Sequence, residues 1–534
     1  MIETKVFYGT EARKAIQTGV NKAANAVKVT LGGRGRNVLY SKALQTQNGI
    51  KFYDGRITKD GVTVLRNFSL SDRIEDNGAD VVRQASQKTY ETVGDGTTTS
   101  AIFVQAIYNE GLKLIDAGAN PIEIKKGIDK AVEYVVGELA KMAIQIGDDN
   151  EKIKQIATVS ANNDEVIGQL IADAYKQIGK DGIIDIQDAK GVTTEIKVVN
   201  GFEIRQGYVS PFFITNRGKG IAELVNPVIL FFEKSIVQMQ PLIPLLEAAV
   251  KNNSPLLIFC EDLEGEALST LAVNVAEGRI KACVVKSPYF DEKQIDAMED
   301  MATLTGGTFI NAQKGIPLES VTLNKCGQAA KVTISKDTTT IVGGKGSKES
   351  IDLLVSSLKE KMNETTDIHT KKYLENRIAK LTSGVAILYV GAATESEASE
   401  KKDRCDDAVR ATRAAIEEGY VAGGGTAFLK IPLLRSELTS DEYRGTELIY
   451  NILITPLEQI CLNAGIKNAD EILKNVINGD ANDGYNVLTE RVENLIETGI
   501  IDPVKVLRCS LQNAASAAGS YLTMECAIID EFKN

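Results

Sequence analysis

The chain has 534 residues, of which 43% are hydrophobic and 25% charged, and its formal net charge is −11. This composition is typical of a soluble globular protein of about two to four domains, and the acidic balance argues against nucleic-acid binding as its main activity. Seven scattered cysteines without a C-x-x-C pair, and a single histidine, His369, argue against a zinc site and against histidine-dependent nucleophilic catalysis.

The sequence carries no sign of a membrane or secretory protein. No stretch offers the roughly 20 strongly apolar residues that a membrane span needs, and the first residues lack the apolar core of a signal peptide. We therefore expect a cytoplasmic protein with reduced cysteines and with no nucleic-acid or membrane partner.

The first part of the chain is predicted to be mostly helical. Apolar residues recur at helical spacing from Ala12 to Val27, and helical patterns resume from about Asp72 to Met142. Between them lie a glycine-rich turn at 30–35 and two short apolar runs, 38–40 and 57–58, which predict the arms of a hairpin.

The middle of the chain changes character. Strand-like runs at 194–199, 228–232, 256–260 and 282–285 alternate with helical stretches at 243–250 and 265–277. This alternation predicts an α/β domain. Charged helical segments (348–381), a strand-like run (384–391) and a long helix (401–418) then lead to a helical tail. Because the amino-terminal and carboxyl-terminal segments are both rich in predicted helices, we expect them to form one discontinuous outer domain with the middle domain inserted.

The most informative stretch is Val93–Ser100, in which two glycines flank Asp95 and three threonines precede an apolar run. Glycines let the backbone approach an anion, the first amides of a helix attract phosphate, and a lone aspartate can hold Mg²⁺ against phosphate oxygens. The stretch therefore predicts a phosphate-binding turn that opens a helix. It is not a Walker A loop, because no Gly-Lys-Ser/Thr follows. The alternative is an ordinary glycine-rich turn with a threonine cap.

Other glycine and aspartate signals are weaker. Asp60–Gly61 is more typical of a hairpin turn, and Asp502–Pro503 is more typical of a helix cap. Gly423–Gly425 indicates either a helix C-cap or a close approach of the backbone to a ligand. Asp406–Asp407 lies on a charged helix, either on a solvated face or as a source of a carboxylate that orients or deprotonates water at a phosphate.

Apolar side chains of the middle domain have two possible roles. Aromatic residues cluster between Gly207 and Phe213, and apolar stripes follow two predicted helices, 242–250 and 268–275. Each stripe is either part of the core or, if it is exposed, a site for other proteins.

Five motifs of the chain resemble those of the group I chaperonins, the GroEL family, and they occur along the chain in the family's order. The motifs are GDGTTTS, VTLGGRGRNV, ITKDGVTVLR, ATRAAIEEGYVAGGGTA and GIIDPVKVLR. The resemblance runs from about residue 5 to residue 530. It implies a multidomain α and α/β fold with three domains. These are a mostly helical equatorial ATP-binding domain (1–141 and 418–534), a small α/β intermediate hinge domain (142–199 and 386–417) and an α/β apical substrate-binding domain (200–385).

The resemblance also implies a site for ATP with Mg²⁺ and K⁺. Asp95 would hold Mg²⁺, and Asp407 would position and activate the attacking water with help from Asp60. The residues that would bind the nucleotide are Thr30, Leu31, Gly32, Gly33, Lys59, Asp95, Gly96, Thr97, Thr98, Thr99, Gly423, Gly424, Asn486 and Asp502.

In the apical domain, the resemblance implies a face that binds unfolded client proteins. Its residues would be Tyr208, Phe212, Phe213, Ile243, Leu246, Leu268, Ala272 and Val273, and this would make the apolar stripes exposed. Family members form homo-heptameric rings, single or double, and work with a lid co-chaperonin. The expected function is thus an ATPase that promotes folding of non-native proteins by ATP-driven domain movement in a ring assembly.

Several features depart from the family pattern, and two of them concern the predicted client face and the ring contact. Ala272 stands where a larger aliphatic residue is usual, and the segment Tyr40–Arg56 is longer than the family's hairpin, so the ring contact is expected to differ in detail. One alternative function is a passive holdase or assembly scaffold, which would bind clients without ATP-dependent release. Another is a small-molecule phosphotransferase, which is disfavoured because no kinase lysine motif occurs and the apolar face would go unexplained.

Overall fold

The chain folds into two compact units. In the computed structural model, unit 1 comprises Met1–Asp173 and Ala392–Asn534, and unit 2 comprises Ala174–Gly391. The described residues are 2–532 except 42, 47–48, 53–54, 148, 181, 190, 290, 366, 383 and 435–437. The expectation that head and tail fold together around an inserted middle is confirmed. The further division into equatorial, intermediate and apical domains stays a prediction.

The amino-terminal segment is helical after a first strand, as predicted. Its elements are β1 (Ile2–Tyr8), α1 (Gly9–Val27), β2 (Val38–Tyr40), β3 (Ala43–Thr46), β4 (Gly49–Phe52), β5 (Arg56–Thr58), α2 (Gly61–Asn67), α3 (Arg73–Val93), α4 (Thr97–Asp116), α5 (Pro121–Met142), α6 (Asn150–Ser160) and α7 (Glu165–Ile178). Strands β2 and β5 pair antiparallel, which confirms the predicted hairpin arms. Parts of the longer connection between them, 42, 47–48 and 53–54, lie outside the described residues.

The middle segment alternates strands and helices. Its elements are β6 (Ile183–Asp188), β7 (Glu195–Ile204), β8 (Ala222–Val225), β9 (Val228–Phe232), α8 (Ile243–Lys251), β10 (Leu256–Cys260), α9 (Gly265–Ala276), β11 (Ala282–Lys286), α10 (Asp291–Thr305), β12 (Phe309–Ile310), β13 (Gly327–Gln328), β14 (Lys331–Ile334), β15 (Thr339–Val342), α11 (Lys348–Glu364), α12 (Ile368–Thr382) and β16 (Gly384–Val390). A short 3₁₀ turn occupies Pro211–Phe213.

The carboxyl-terminal segment returns to helices and short strands. Its elements are α13 (Glu395–Glu418), β17 (Tyr420–Ala422), α14 (Thr426–Leu429), α15 (Ser440–Ile452), α16 (Thr455–Asn463), α17 (Ala469–Asn478), β18 (Asp483–Asn486), β19 (Arg491–Asn494), α18 (Leu495–Thr498), β20 (Ile501–Pro503), α19 (Val504–Leu522) and β21 (Cys526–Phe532).

Unit 1 is held together by tightly packed helices from both ends of the chain. Gly19 of α1 lies so close to α3 that a Cβ there would overlap the carbonyl oxygen of Glu75. On α5, a Cβ on Gly127 would likewise overlap the backbone of Glu442 in α15. Phe103 of α4 meets Phe428 of α14 edge to face, with ring centroids 5.3 Å apart. Strands β1 and β21 pair antiparallel, so the two chain ends meet in one ribbon.

The described residues of unit 2 form two sheets. Strands β11, β10, β9 and β12 form a parallel sheet in that order, with β13 antiparallel to β9. The second sheet has the order β6-β16-β7-β15-β14-β8. Every residue of β10 is buried, and Phe231 stacks on Phe259 with centroids 5.4 Å apart. The predicted α/β middle is therefore confirmed, because continuous apolar runs mark parallel strands that are covered on both faces.

Across the described part of the chain, no helix combines the length and the apolarity that crossing a bilayer requires.

Candidate functional site

A cavity of about 270 Å³ lies in unit 1. Residues from both ends of the chain line it, and they include every residue predicted to bind nucleotide or to act in catalysis, with the exception of Gly423. Segments far apart in sequence therefore converge on one space. Its walls come from the loop after α1, the turn before α2, the turn between α3 and α4, one face of α13, and the carboxyl-terminal segment around Gly424, Asn486 and Asp502.

The turn between α3 and α4, residues 94–96, has the predicted geometry. Helix α3 ends at Gly94, with φ of 77°, and α4 begins after Gly96, with φ of 78°. Such positive φ angles favour glycine. The carbonyl of Gly96 accepts hydrogen bonds from the amide of Ser100 (3.0 Å) and from the hydroxyl of Ser510 (3.0 Å), which fix the start of the helix. The first amides of α4 have no partner within the helix, so they can bind an anion.

The loop after α1 lies against the same helix start. The hydroxyl of Thr30 is 3.2 Å from that of Thr98 and donates to the carbonyl of Val27 at 2.9 Å. Gly61 packs so closely that a Cβ there would overlap the hydroxyl of Thr98. The loop after α1 and the first residue of α2 therefore both pack against the amino-terminus of α4.

Asp60 caps α2. Its two carboxylate oxygens accept hydrogen bonds from the amides of Val62 (3.1 Å) and Thr63 (3.0 Å). The hairpin-turn interpretation of Asp60–Gly61 is therefore wrong: the strand that precedes it pairs with β2, and the aspartate opens a helix at the cavity wall.

Asp95 and Asp407 are acidic groups in the same recess. Burial raises the pKa of Asp407 well above its ordinary value, and the charges of Asp60 and Asp95 raise it further. Burial also raises the pKa of Asp95, although the amide of Gly96 and the hydroxyl of Ser160 donate to its carboxylate and oppose the rise. The solvated-face interpretation is thus wrong for Asp407. Its neighbour Asp406 instead forms an ion pair with Arg410 at 2.9 Å.

The cavity is short of positive charge. Lys59 and Arg404 are its basic lining residues, whereas Glu400, Asp403 and the four predicted aspartates are acidic. Burial lowers the pKa of Lys59, and the charge of Arg404 lowers it further while Glu400 opposes the fall. Clustered carboxylates of this kind are relieved by a bound cation.

The donor set fits Mg²⁺ that is shared with a phosphate. Among the described residues, no group of three or more His, Cys, Asp and Glu is arranged to hold a metal ion by itself. Mg²⁺ usually binds through one or two carboxylates, substrate phosphates and water, so the Asp95 carboxylate beside the amino-terminus of α4 is a fitting ligand. Asp95 would hold the ion, which would neutralise phosphate charge.

Asp502 lies in strand β20, and the next residue, Pro503, is the N-cap of α19. A helix therefore begins where the sequence indicated, with Pro503 and not Asp502 at the cap. The amides of Gly424 and Gly425 donate to the Asp502 carboxylate, yet burial, together with the charge of Asp95, raises its pKa to about 7. A Cβ on Gly423 would lie 3.0 Å from the carboxylate. Gly423 is therefore packed behind Asp502, away from the cavity.

The three glycines 423–425 form the turn between β17 and α14, whereas Gly419 is the C-cap of α13. The C-cap alternative is thus wrong for the triplet. Gly424 has φ of 61°, lines the cavity, and has no atom within 4 Å of the position of a Cβ. The space beside its Cα is therefore open to a ligand, although its amide already donates to Asp502.

Asn486 lines the cavity, but its side chain already has partners. Its amide nitrogen donates to Glu493 at 2.7 Å, and its oxygen accepts from the amide of Leu488 at 2.9 Å. Lining residues that the sequence did not single out include Ser160, Asn163, Glu400, Arg404, Ile460 and Tyr485. Helical spacing from Asp407 could have revealed Glu400 and Arg404, which lie two turns and one turn before it on α13.

The predicted client face of unit 2 is only partly exposed. Phe212 is 66% exposed and Val273 54% exposed, and Tyr208, Ile243 and Leu268 are half-buried. The expectation of exposure is wrong for Phe213, Leu246 and Ala272, which are buried. Each of these helical elements turns one side toward the core of unit 2, so the residues on that side are buried and cannot belong to an exposed face.

Comparison with known proteins agrees with the fold, which is that of a chaperonin. The model of the TCP-1/cpn60 chaperonin family matches residues 23–531. The crystal structure of the chaperonin gp146 from the Pseudomonas aeruginosa bacteriophage EL, obtained in the presence of ATP-BeFx, is similar over 99% of both chains, with a TM-score of 0.69 and 22% identity.

The chain therefore belongs to the TCP-1/cpn60 chaperonin family. The predicted chaperonin fold is confirmed, and so is the resemblance drawn from the five motifs. Family membership carries the function of a chaperonin, an ATPase that couples ATP hydrolysis to protein folding.

Proposed function

We propose that the cavity of unit 1 binds ATP as its magnesium complex and that Asp407 activates the water that attacks the terminal phosphate. The observation that carries the proposal is the convergence of Asp60, Asp95 and Asp407, from three distant segments, on one cavity at the amino-terminus of α4. Carboxylates and helix-start amides are the groups that phosphoryl transfer to water needs.

The phosphates would lie against the first amides of α4. Positive-φ glycines bring this backbone close to the cavity, and the hydroxyls of Thr97, Thr98 and Thr99 add donors. Lys59 supplies a positive charge, and Leu31, Gly32 and Gly33 complete the wall above Thr30. K⁺ would be held by oxygen atoms of the same loop.

Asp407 is suited to act as a general base. Its pKa is high in the free cavity because burial and two neighbouring carboxylates disfavour its charge. A carboxylate whose pKa is raised accepts a proton from water more readily than an ordinary aspartate. Asp60 assists through its charge, since both of its oxygens already accept amide hydrogen bonds from α2.

The nucleoside would contact Gly424, beside whose Cα the space is open, and Asp502. Asn486 would lie beside the nucleobase. Because its side-chain amide already has partners, it would act by stabilising the hairpin of β18 and β19. Gly423 would contribute by packing behind Asp502.

Client binding would use the exposed part of the predicted face in unit 2. Phe212 and Val273 present apolar area directly, with Tyr208, Ile243 and Leu268 beside them, and exposed apolar area is what unfolded proteins share. Val237 and Val250 are also about half exposed and extend the candidate surface. The working assembly would be a homo-heptameric ring, single or double, with a lid co-chaperonin, in which ATP drives domain movement and client release.

Hydrolysis and binding by Asp407→Ala test the proposal. We expect hydrolysis to fall at least about 100-fold while the affinity for Mg-ATP changes less than about threefold, since the base acts on water and not on the nucleotide. Asp129→Ala, the same change on an exposed face of α5, is the matched control and should hydrolyse ATP at the wild-type rate. Normal hydrolysis by Asp407→Ala would contradict the assignment.

A refolding assay separates the folding machine from a passive holdase. A non-native client is presented with and without ATP, and its recovered activity is measured. We expect ATP to increase recovery with the wild-type chain and not with Asp407→Ala. Client binding without any effect of ATP on release would favour the holdase.

A further inference from the structure

A polar cluster next to the cavity joins α13 to the end of α3. The phenol of Tyr90, in the last turn of α3, donates to the Oδ2 of Asp406 at 3.1 Å. Nε of Arg410 donates to the same oxygen at 2.9 Å. The guanidinium of Arg410 also lies 5.1 Å from the centre of the Tyr90 ring, within the range of a cation–π contact. None of these three residues lines the cavity.

The same cluster reaches the turn between α3 and α4. A Cβ on Gly94 would overlap the aliphatic stem of Arg410, so the backbone of the turn rests directly on that side chain. Asp406 precedes Asp407 on α13. A shift of Asp406 relative to the turn therefore moves Asp407 relative to Asp95.

A single ion pair four residues apart on one helix stabilises that helix only slightly. The pair Asp406–Arg410 differs because its partners extend beyond α13, to the ring and hydroxyl of Tyr90 and to the backbone of Gly94. These contacts fix the position of α13 relative to the turn between α3 and α4. An ion pair within α13 alone could not do so. Precise placement is what a general base requires, since a misplacement of about 1 Å can cost about 100-fold in rate.

We propose that Tyr90, Asp406 and Arg410 are positioning residues for ATP hydrolysis, which hold Asp407 in register with the turn between α3 and α4. The proposal rests on the proposed role of Asp407 as the base. It predicts an effect on the chemical step and not on nucleotide binding, because none of the three touches the cavity.

The test is Tyr90→Phe, which keeps the ring and removes the hydroxyl that bonds to Asp406. Steady-state hydrolysis should show kcat reduced about tenfold, with KM for Mg-ATP changed less than twofold. Arg66→Gln is the matched control: Arg66 lies 4.8 Å from the centre of the same ring but belongs to α2, so its loss leaves the link to α13 intact. It should keep the wild-type kcat. Arg410→Lys, which keeps the charge but loses the planar contact, should also lower kcat.

A double-mutant cycle separates positioning from general stability. In the Asp407→Ala background, phosphate release from labelled ATP over hours should not fall further when Tyr90→Phe is added, because the residue acts only through Asp407. A wild-type kcat for Tyr90→Phe, or the same fold loss in both backgrounds, would overturn the proposal. If Asp407→Ala alone hydrolyses normally, the proposed function fails instead, so the two failures are distinguishable.

Discussion

Replacing Asp502 by asparagine should make the nucleotide-free protein more stable at alkaline pH. The carboxylate is recessed beside Asp95, and burial raises its pKa from 3.8 to about 7. This rise of about 3 pKa units corresponds to about 4 kcal/mol of unfavourable free energy for the charged form, at about 1.36 kcal/mol per unit. The amides of Gly424 and Gly425 remain able to donate to the asparagine oxygen.

The direction of the pH dependence follows from proton binding. Between pH 3.8 and about 7 the folded chain holds a proton on Asp502 that the unfolded chain has released. The free energy of unfolding therefore falls as pH rises through this window, and the stabilisation is present below it and lost above it. An asparagine side chain cannot titrate, so the Asp502→Asn variant lacks this loss.

Urea denaturation of nucleotide-free protein at pH 5 and at pH 8 provides the assay. The advantage of Asp502→Asn over the wild type should be larger at pH 8 than at pH 5 by up to about 3 kcal/mol, because about 2 of the roughly 3 pKa units of the window lie above pH 5. Asp129→Asn, on an exposed face, should give the same difference from the wild type at both pH values. An Asp502→Asn effect that is equal at the two pH values, or a variant that is less stable at pH 8, would refute the reasoning.

Three further predictions concern the rest of the molecule. Gly94→Ala should destabilise unit 1 and weaken nucleotide binding, because φ of 77° is unfavourable for alanine and its Cβ would overlap the Arg410 side chain; melting and nucleotide titration measure both effects, and unchanged values would contradict the assigned geometry. Phe212→Ser together with Val273→Ser should reduce capture of an unfolded client several-fold with little change in melting temperature, since both side chains are mostly exposed; undiminished capture would remove this face from client binding. Phe231→Ala should cost about 3–5 kcal/mol of unfolding free energy because the ring is fully buried in the parallel sheet, and a loss under about 1 kcal/mol in urea denaturation would be inconsistent with that packing.

Local patterns predicted many elements well. The apolar runs that became β9, β10 and β11, and the helix that begins after the Gly-Asp-Gly turn, follow from periodicity and glycine placement. These features depend on neighbours in sequence. For that reason the amino-acid sequence alone is enough to locate these elements.

The candidate site could not be assembled from local pattern. Asp95 and Asp407 are 312 positions apart, and no spacing rule connects them; only the five motifs, taken as a resemblance, placed them together. The Asp-Pro pair correctly indicated the start of α19, but the pairing of Asp502 with β17 depends on residues 420–422 and has no local signal. Tertiary contact decided both cases.

The sequence could not predict which of two adjacent aromatic residues is buried. Phe212 and Phe213 share one 3₁₀ turn, yet the first is exposed and the second is fully buried in unit 2. Composition and hydropathy are identical for the pair, so only packing against the rest of the unit separates them. The predicted client face accordingly lost three of its eight members.

The most direct test of the central claim is a structure of the chain determined with Mg²⁺ and a non-hydrolysable ATP analogue. We expect the phosphates at the amino-terminus of α4, with Asp95 at the metal ion and Asp407 facing the terminal phosphate. Nucleotide density elsewhere in the molecule, with Asp407 remote from it, would contradict the account.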